Sequence, residues 1–395
     1  MAMNLEQFQQ LDRQYGVQAY SRNPIALDHG QGATLYDLDG RRYIDFAAGI
    51  GVLSVGTAHP RWVAAVTEQA GKLAHSSNLY YTRPYLELAQ RLCQRSGLAA
   101  AFFGNSGAEA NEGAIKVARK YSSDKYGAGR GTVLTLNNSF HGRTITTLAA
   151  TGQDAFHQYF FPFTEGFRRA EPTLDGIQGA AGHDVCAVLV ELVQGEGGVY
   201  PLDRAFVQAL AQLCQERDWL LLVDEVQTGI GRTGSLFCFQ QYGVQPDVCS
   251  FAKGVAGGLP MGGFLVNEKC RQVLGPGTHG STFGGNPVCA AAACAVLDIL
   301  DDQTIAQVGE KGAYLRGKIE EMGLPCLGET RGMGLMIGIE VAQGYSNKQL
   351  CARLNQAGLL CLTAGAGLRL LPPLTITQEE MDQGLAVLKA ELSSD

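Results

Sequence analysis

The chain has 395 residues, of which 46% are hydrophobic and 17% charged, so it can bury a large core and global disorder is not expected. Its 31 Lys and Arg stand against 38 Asp and Glu, a net charge of −7, which removes the electrostatic support for a nucleic-acid or anionic-membrane role. The longest apolar run, residues 288–297, falls well short of the roughly 20 residues that span a bilayer. The first residues have no basic start followed by an apolar block, so no secretory leader is expected.

Residues 35–46, LYDLDGRRYIDF, predict two short strands around Asp39-Gly40. Helical periodicity follows over 60–73 and 84–96. From about 100 to 265, short apolar runs at 101–103, 133–136, 187–192, 220–223, 248–251 and 264–266 alternate with helical segments. That alternation predicts an α/β fold with a mostly parallel sheet covered on both faces. An alanine-rich segment around Cys289 and Cys294 reads as a buried helix. Beyond 300 come a helix (304–322), a strand (334–341), a helix (346–357), strands near 359–363 and 368–371, and a last helix opened by Thr377 and Glu380 as a capping box. The expected domains are a large one over 56–290 and a smaller α+β one over 291–395, with residues 1–55 packing against the latter.

Glycine is abundant, 51 residues or about 13% against a usual ~7%. It clusters between apolar runs, where backbone turns tightly or passes close to a ligand. Eleven cysteines show no C-x-x-C, and seven histidines show no metal-ligand spacing. Reduced thiols of a cytosolic protein are expected, with no zinc site and no disulfide framework.

Five polar, glycine-bearing segments follow predicted strand ends: GNSGAEA (104–110), NNSFHGRT (137–144), VQGEGG (193–198), DEVQTG (224–229) and AKG (252–254). In open parallel sheets, ligands bind at that edge. Ser106 followed by Glu109 fits a capping box, and the helix start it opens is suited to a phosphate. Taken alone it is a well-capped helix. Asp224 ends WLLLVD, where it can cap a helix, hold a metal or pair with a buried cation. Lys253 ends DVCSFAK; an ammonium there is costly to bury, and desolvation makes a lysine nucleophilic. Taken alone it can snorkel to solvent. A phosphate cradle, a strand-end acid and a strand-end lysine together match the needs of pyridoxal phosphate.

The motifs YDLDGRRYIDFAAGI, SSNLYYTRP, FFGNSGAEANEGAIKVAR, SFHGRT, VQGEGG, LLLVDEVQTGIGRTG, PDVCSFAKG, GSTFGGNP, RGMGLMIGIE and LRLLPPL stand in one order along nearly the whole chain. In these it closely resembles the class III, ornithine-type pyridoxal-phosphate aminotransferases of fold type I. Within that family the likeness is greatest to the branch acting on acetylornithine. The resemblance implies a cytoplasmic homodimer that moves the terminal amine of an N-acylated ornithine to 2-oxoglutarate in arginine biosynthesis. By the same resemblance Lys253 attaches the cofactor, Asp224 faces its pyridine nitrogen and Gln227 its phenolic oxygen. Ser106, Gly107 and Ala108 hold its phosphate, and Phe140 and Val226 close its two faces. Thr282 reaches the phosphate of the neighbouring subunit. Arg143 and Ser281 touch substrate, Arg369 clamps the 2-oxoglutarate carboxylate, and Glu196 pairs with that clamp when the amine donor is bound.

Succinylornithine, ornithine, 4-aminobutyrate and succinyl-diaminopimelate aminotransferases are alternatives within the family. A lyase, racemase or aminomutase on the same fold and a non-catalytic cofactor-binding protein are more distant ones. Residues 229–234, GIGRTG, spell G-x-G-x-x-G, the dinucleotide fingerprint, but no suitable crossover helix follows.

Overall fold

The structure, a computed structural model, describes residues 3–393. Its centre is a seven-stranded sheet. In chain order the strands are β1 (Ala100–Gly104), β2 (Thr132–Leu136), β3 (Phe167–Ala170), β4 (Val185–Val190), β5 (Leu220–Asp224), β6 (Val248–Phe251) and β7 (Gly262–Val266). In space they run β1-β7-β6-β5-β4-β2-β3. The pairings among β6, β5, β4, β2 and β3 are parallel. β7 runs antiparallel to both its neighbours. Every residue of β2, β4, β5, β6 and β7 is buried, which is why these strands read as unbroken apolar runs.

Two features of this sheet differ from the sequence reading. β3, FRRA, was absent from it: an edge strand has one neighbour and solvent beyond it, so charged side chains on either face can reach water around the rim. Arg168 pairs with Asp184 and Arg169 with Asp154. The reversed direction of β7 was also invisible, because period and composition carry no sense of direction.

The strands at the N-terminus, Leu27–Gln31, Thr34–Asp37 and Arg42–Asp45, form a sheet completed by Leu359–Leu360, which runs parallel to the third of them. A second four-stranded sheet holds Leu327–Met333, Met336–Val341, Gly367–Leu370 and Leu362–Ala364. The strand expected over 334–341 is thus the second half of a hairpin that turns at Gly334, where φ is +55°. The strand expected over 359–363 breaks at Cys361, and its halves join different sheets. The last helix, Gln378–Leu392, begins with the full Thr377–Glu380 capping box.

Small residues let these layers approach. Gly312, in the helix Asp302–Glu321, is so close to the hairpin that a Cβ there would lie 1.9 Å from the Gly334 carbonyl oxygen. Backbone on one side and helix on the other leave nothing flexible to yield. Gly312→Ala should therefore destabilise the protein by about 3 kcal/mol through overpacking. Denaturant unfolding of the two proteins measures this.

The segment 229–234 also serves packing. It lies in turns, and the next helix, Phe239–Tyr242, has four residues. Arg232, in its middle, is buried and donates to the carbonyls of Leu335 and Pro372. These glycines bring the chain against the C-terminal elements; no strand-turn-helix unit for a dinucleotide is formed.

Candidate active site

The C-terminal ends of the parallel strands open into a cavity of about 390 Å³. Ser106, Gly107, Ala108, Phe140, Arg143, Asp224, Val226, Gln227 and Lys253 all line it.

One end is the start of the helix Gly107–Tyr126. Ser106 caps it, accepting from the Glu109 amide. The expected capping box takes a shifted form. The Glu109 carboxylate accepts from the Asn105 amide at 2.8 Å and from the Ser106 hydroxyl at 3.0 Å, and not from the Ser106 amide. The amides of Gly107 and Ala108 stand in the first turn, where no helical carbonyl precedes them. A Cβ on Gly107 would lie 2.7 Å from Val226, so only glycine lets the helix start sit against that side chain. Exposed amides at the positive end of a twenty-residue helix make an anion site.

The other end is Asp224, the last residue of β5, which is 4% exposed. Its Oδ2 accepts from Asn111 Nδ2 at 2.7 Å and from His141 Nδ1 at 2.8 Å, and its Oδ1 from the Val226 amide at 3.0 Å. Asn111 also donates to the His141 carbonyl and accepts from the Ser250 hydroxyl at 2.6 Å. This network holds the carboxylate at one orientation. Oδ1, with one donor, keeps capacity for another.

Lys253 follows β6 in left-handed backbone, φ +40°, a conformation that costs a non-glycine residue about 1–3 kcal/mol and collects at functional positions. The loop it opens is pinned from outside: Ser54 donates to the Gly254 carbonyl at 2.6 Å and Trp62 to that of Ala256 at 3.0 Å. Burial among protein atoms pushes the Lys253 amine down; Glu196 draws it back and Arg369 lowers it again. The result favours the free amine, the nucleophilic form.

Arg369, on the strand Gly367–Leu370, is 3% exposed. Its Nη1 donates to Glu196 Oε1 at 2.7 Å and to Gln227 Oε1 at 3.0 Å, while its buried Nε has no partner. Burial raises the Glu196 carboxyl, but the charge and hydrogen bond of Arg369 outweigh it and hold Glu196 below its ordinary value. A guanidinium whose buried Nε is unused is prepared to receive a second carboxylate. Arg143 lies at the cavity with its guanidinium 4.3 Å from the Phe156 ring, and Phe140 meets that ring edge-on.

Ser281 and Thr282 stand apart. Ser281 Oγ touches the site only through Asn105, at 3.2 Å. Thr282 is exposed and lines none of this cavity.

Sequence reasoning missed Asn105, Asn111, Ser250 and Glu191. Glu191 accepts from the amides of Phe140 and Gly195, which fixes the loops that carry Phe140 and Glu196. A carboxylate inside the apolar run 187–192 was the signal available for it. Glu225, beside Asp224, is fully buried; burial pushes its carboxyl up to about 7, against hydrogen bonds from Thr228 and Phe239. An unfolded glutamate sits near 4.3, so the fold holds this proton more tightly. The stability it contributes is present below about pH 4 and is lost as pH rises through 7. Glu225→Gln should raise the melting temperature by roughly 2–4 °C at pH 8 and change it little at pH 5. Thermal unfolding at both pH values measures the difference.

An anion site at one end, a fixed carboxylate at the other and a lysine on the same cavity fit a phosphate-bearing pyridine aldehyde. The family model described as aminotransferase class-III matches residues 15–392. A protein named acetylornithine aminotransferase from Haemophilus ducreyi is 51% identical over 393 residues, covering 99% of this chain and 100% of that protein. The crystal structure of ornithine aminotransferase from Toxoplasma gondii superposes with a TM-score of 0.95 at 32% identity, covering 100% of this chain and 96% of that one. Acetylornithine aminotransferase from Elizabethkingia anophelis gives a TM-score of 0.88 at 31% identity, with both chains fully covered.

Proposed function

The chain belongs to the class III aminotransferases, and from that premise we propose that it transfers the terminal amino group of N2-acetyl-L-ornithine to 2-oxoglutarate, yielding N-acetyl-L-glutamate 5-semialdehyde and L-glutamate. This is the reaction of an acetylornithine aminotransferase, a step of arginine biosynthesis. Full-length likeness to proteins of that name carries the substrate assignment.

Pyridoxal phosphate, when bound, supplies a carbonyl that takes up the amino group and a protonated ring that accepts the electron pair released at the substrate carbon. Ser106 and the amides of Gly107 and Ala108 would hold its phosphate. Asp224 would keep a proton on its pyridine nitrogen, Gln227 would serve its phenolic oxygen, and Phe140 and Val226 would enclose its ring. Lys253 would be its point of covalent attachment. As a free amine, Lys253 Nζ takes the proton from the substrate carbon that bears the amino group.

Two substrates of different length must use one pocket in turn. With Glu196 paired to it, Arg369 presents no net charge to the apolar part of the amine donor. With Glu196 turned aside, the guanidinium grips the α-carboxylate of 2-oxoglutarate in a bidentate fork. Arg143, and Ser281 through Asn105, complete the substrate contacts. Glu196→Ala should shift donor kcat/KM by about tenfold or more, the worth of one charge-assisted hydrogen bond, and disturb the 2-oxoglutarate half less. Single-turnover rates measured separately for each half decide this; equal losses contradict the switch.

We assign the enzyme to the cytoplasm as a homodimer with shared active sites. Exposed Tyr80, Tyr81 and Phe283 support the pairing, as does Thr282, which is exposed and lines none of its own chain's cavity. Among the described residues no helix is long and apolar enough to cross a membrane.

The assignment is tested by supplying 2-oxoglutarate with N-acetylornithine, N-succinylornithine or ornithine and measuring glutamate formed. The highest kcat/KM is expected with N-acetylornithine. A higher value with ornithine, the donor in the name of the Toxoplasma neighbour, moves the chain to that branch.

A further inference from the structure

Away from the cavity, two cysteine sulfurs meet at the junction of the two smaller sheets. Cys361 sits where the chain passes from Leu359–Leu360, paired with the N-terminal sheet, to Leu362–Ala364, paired with the Arg369 strand. Its Sγ is 3.8 Å from the Sγ of Cys351, on the helix Asn347–Ala357. Sulfurs at that distance are in van der Waals contact. A disulfide needs about 2.05 Å, so bond formation asks them to close by roughly 1.8 Å.

The surroundings are organised around this pair. Asn355 is 2% exposed and bridges both cysteines. Its Oδ1 accepts from the Cys361 amide at 2.8 Å, which leaves its Nδ2 facing the Cys351 sulfur at 3.6 Å. The Cys361 thiol donates to the same sulfur. Two donors on one sulfur favour its thiolate, while the Cys351 thiol in turn donates to the Cys361 carbonyl at 3.3 Å, a bond that deprotonation gives up. The Cys361 hydrogen bond is the main cause that pulls the Cys351 thiol below its ordinary value; burial opposes it, and Asn355 adds to it. By contrast, burial pushes the thiols of Cys93, Cys289 and Cys294 up. Cys351 is half-buried and Cys361 buried, so a reagent from solvent meets Cys351 first.

We propose that Cys351 and Cys361 form a dithiol–disulfide site, in which Cys351 is the attacking thiol, Cys361 the resolving one, and a small-molecule disulfide of the glutathione type the oxidant. The Cys351 thiolate attacks one sulfur of the oxidant, forms a mixed disulfide and expels one thiolate, which takes a proton. Cys361 then gives up its proton and attacks the Cys351 sulfur, expelling the second thiol. Two protein thiols are oxidised to one disulfide, and one small disulfide is reduced to two thiols. Excess dithiol reverses both steps. The site stands on this pair alone and does not depend on which amine donor the enzyme uses.

The test is a thiol map of the intact, cofactor-loaded enzyme incubated with oxidised glutathione at pH 8, then denatured, alkylated and digested. The expected product is a peptide pair joined through Cys351 and Cys361, short of two hydrogens and restored by dithiothreitol. In Cys361→Ser the resolving step is lost, so a glutathione adduct should accumulate on Cys351. In Cys351→Ser, Cys361 should stay reduced. Full alkylation of both cysteines in the parent enzyme overturns the proposal, as does a bond from either one to a different cysteine. The parent map decides the matter even if a variant fails to fold.

Discussion

Lys253→Ala should lower the transamination rate by at least about 10⁴-fold, because in the proposed mechanism one substitution removes both the covalent attachment point and the proton-transferring amine. The fold should survive. The side chain lies on the cavity, and the loop around it is held by Ser54 and Trp62 through the backbone carbonyls of Gly254 and Ala256, which alanine leaves in place. Relief of burying an amine offsets part of the lost packing. The measurement is kcat for glutamate formation beside thermal unfolding. A loss of activity with the melting temperature nearly unchanged is expected. A fall of less than tenfold means that another group moves the proton. Arginine at this position should fail as completely, since a guanidinium does not give up its proton near neutral pH.

Asp224→Asn should lower kcat by about 10³-fold while leaving substrate KM within a few-fold. In the proposed mechanism the carboxylate stabilises positive charge on the ring nitrogen of the cofactor; a neutral amide of the same shape does not. The surrounding network sharpens the effect. Asn111 and His141 both donate to Oδ2, and the Val226 amide donates to Oδ1. An asparagine can offer its oxygen to only one of these sides, so its NH₂ must face a donor. A modest loss of stability should therefore accompany the loss of rate. Asp224→Glu keeps the charge but displaces it by one methylene, and should recover part of kcat. Equal rates for the asparagine and glutamate variants contradict an electrostatic role for this side chain.

The parts of the site that were legible in the sequence are those where chemistry violates local economy. Asp224 and Lys253 each close an apolar strand, where a charged residue has a cost that needs a reason. Ser106 with Glu109 announces a helix start, though not the one-residue shift by which Glu109 serves Asn105. Other parts could not be read in that way. Asn111 looks like an ordinary helix residue, and Ser250 an ordinary strand residue, until the fold sets them 2.6 Å apart beside Asp224. The Arg369–Glu196 pair joins residues 173 positions apart, and composition, period and spacing carry no information about such a contact. Their roles entered through family resemblance, which adds what local physics lacks.

The fold divides along the same line. Buried strands announced themselves as apolar runs, and the Thr377 helix announced itself by its cap. The edge strand β3, the reversed β7 and the split at Cys361 depend on which neighbour each segment finds. A strand with one partner keeps its charges, and a two-residue strand has no period to detect.

The most direct measurement of the central claim is a single-half-reaction scan. The purified, cofactor-loaded protein is mixed separately with N-acetylornithine, N-succinylornithine, ornithine, 4-aminobutyrate and N-succinyl-diaminopimelate, with no 2-oxoglutarate present. The visible absorbance of the bound cofactor is followed as the amino group is taken up. Fastest loss of that absorbance with N-acetylornithine, and its return when 2-oxoglutarate is added, is the predicted result. No loss with any of the five donors would contradict the assignment of this cavity to amino-group transfer.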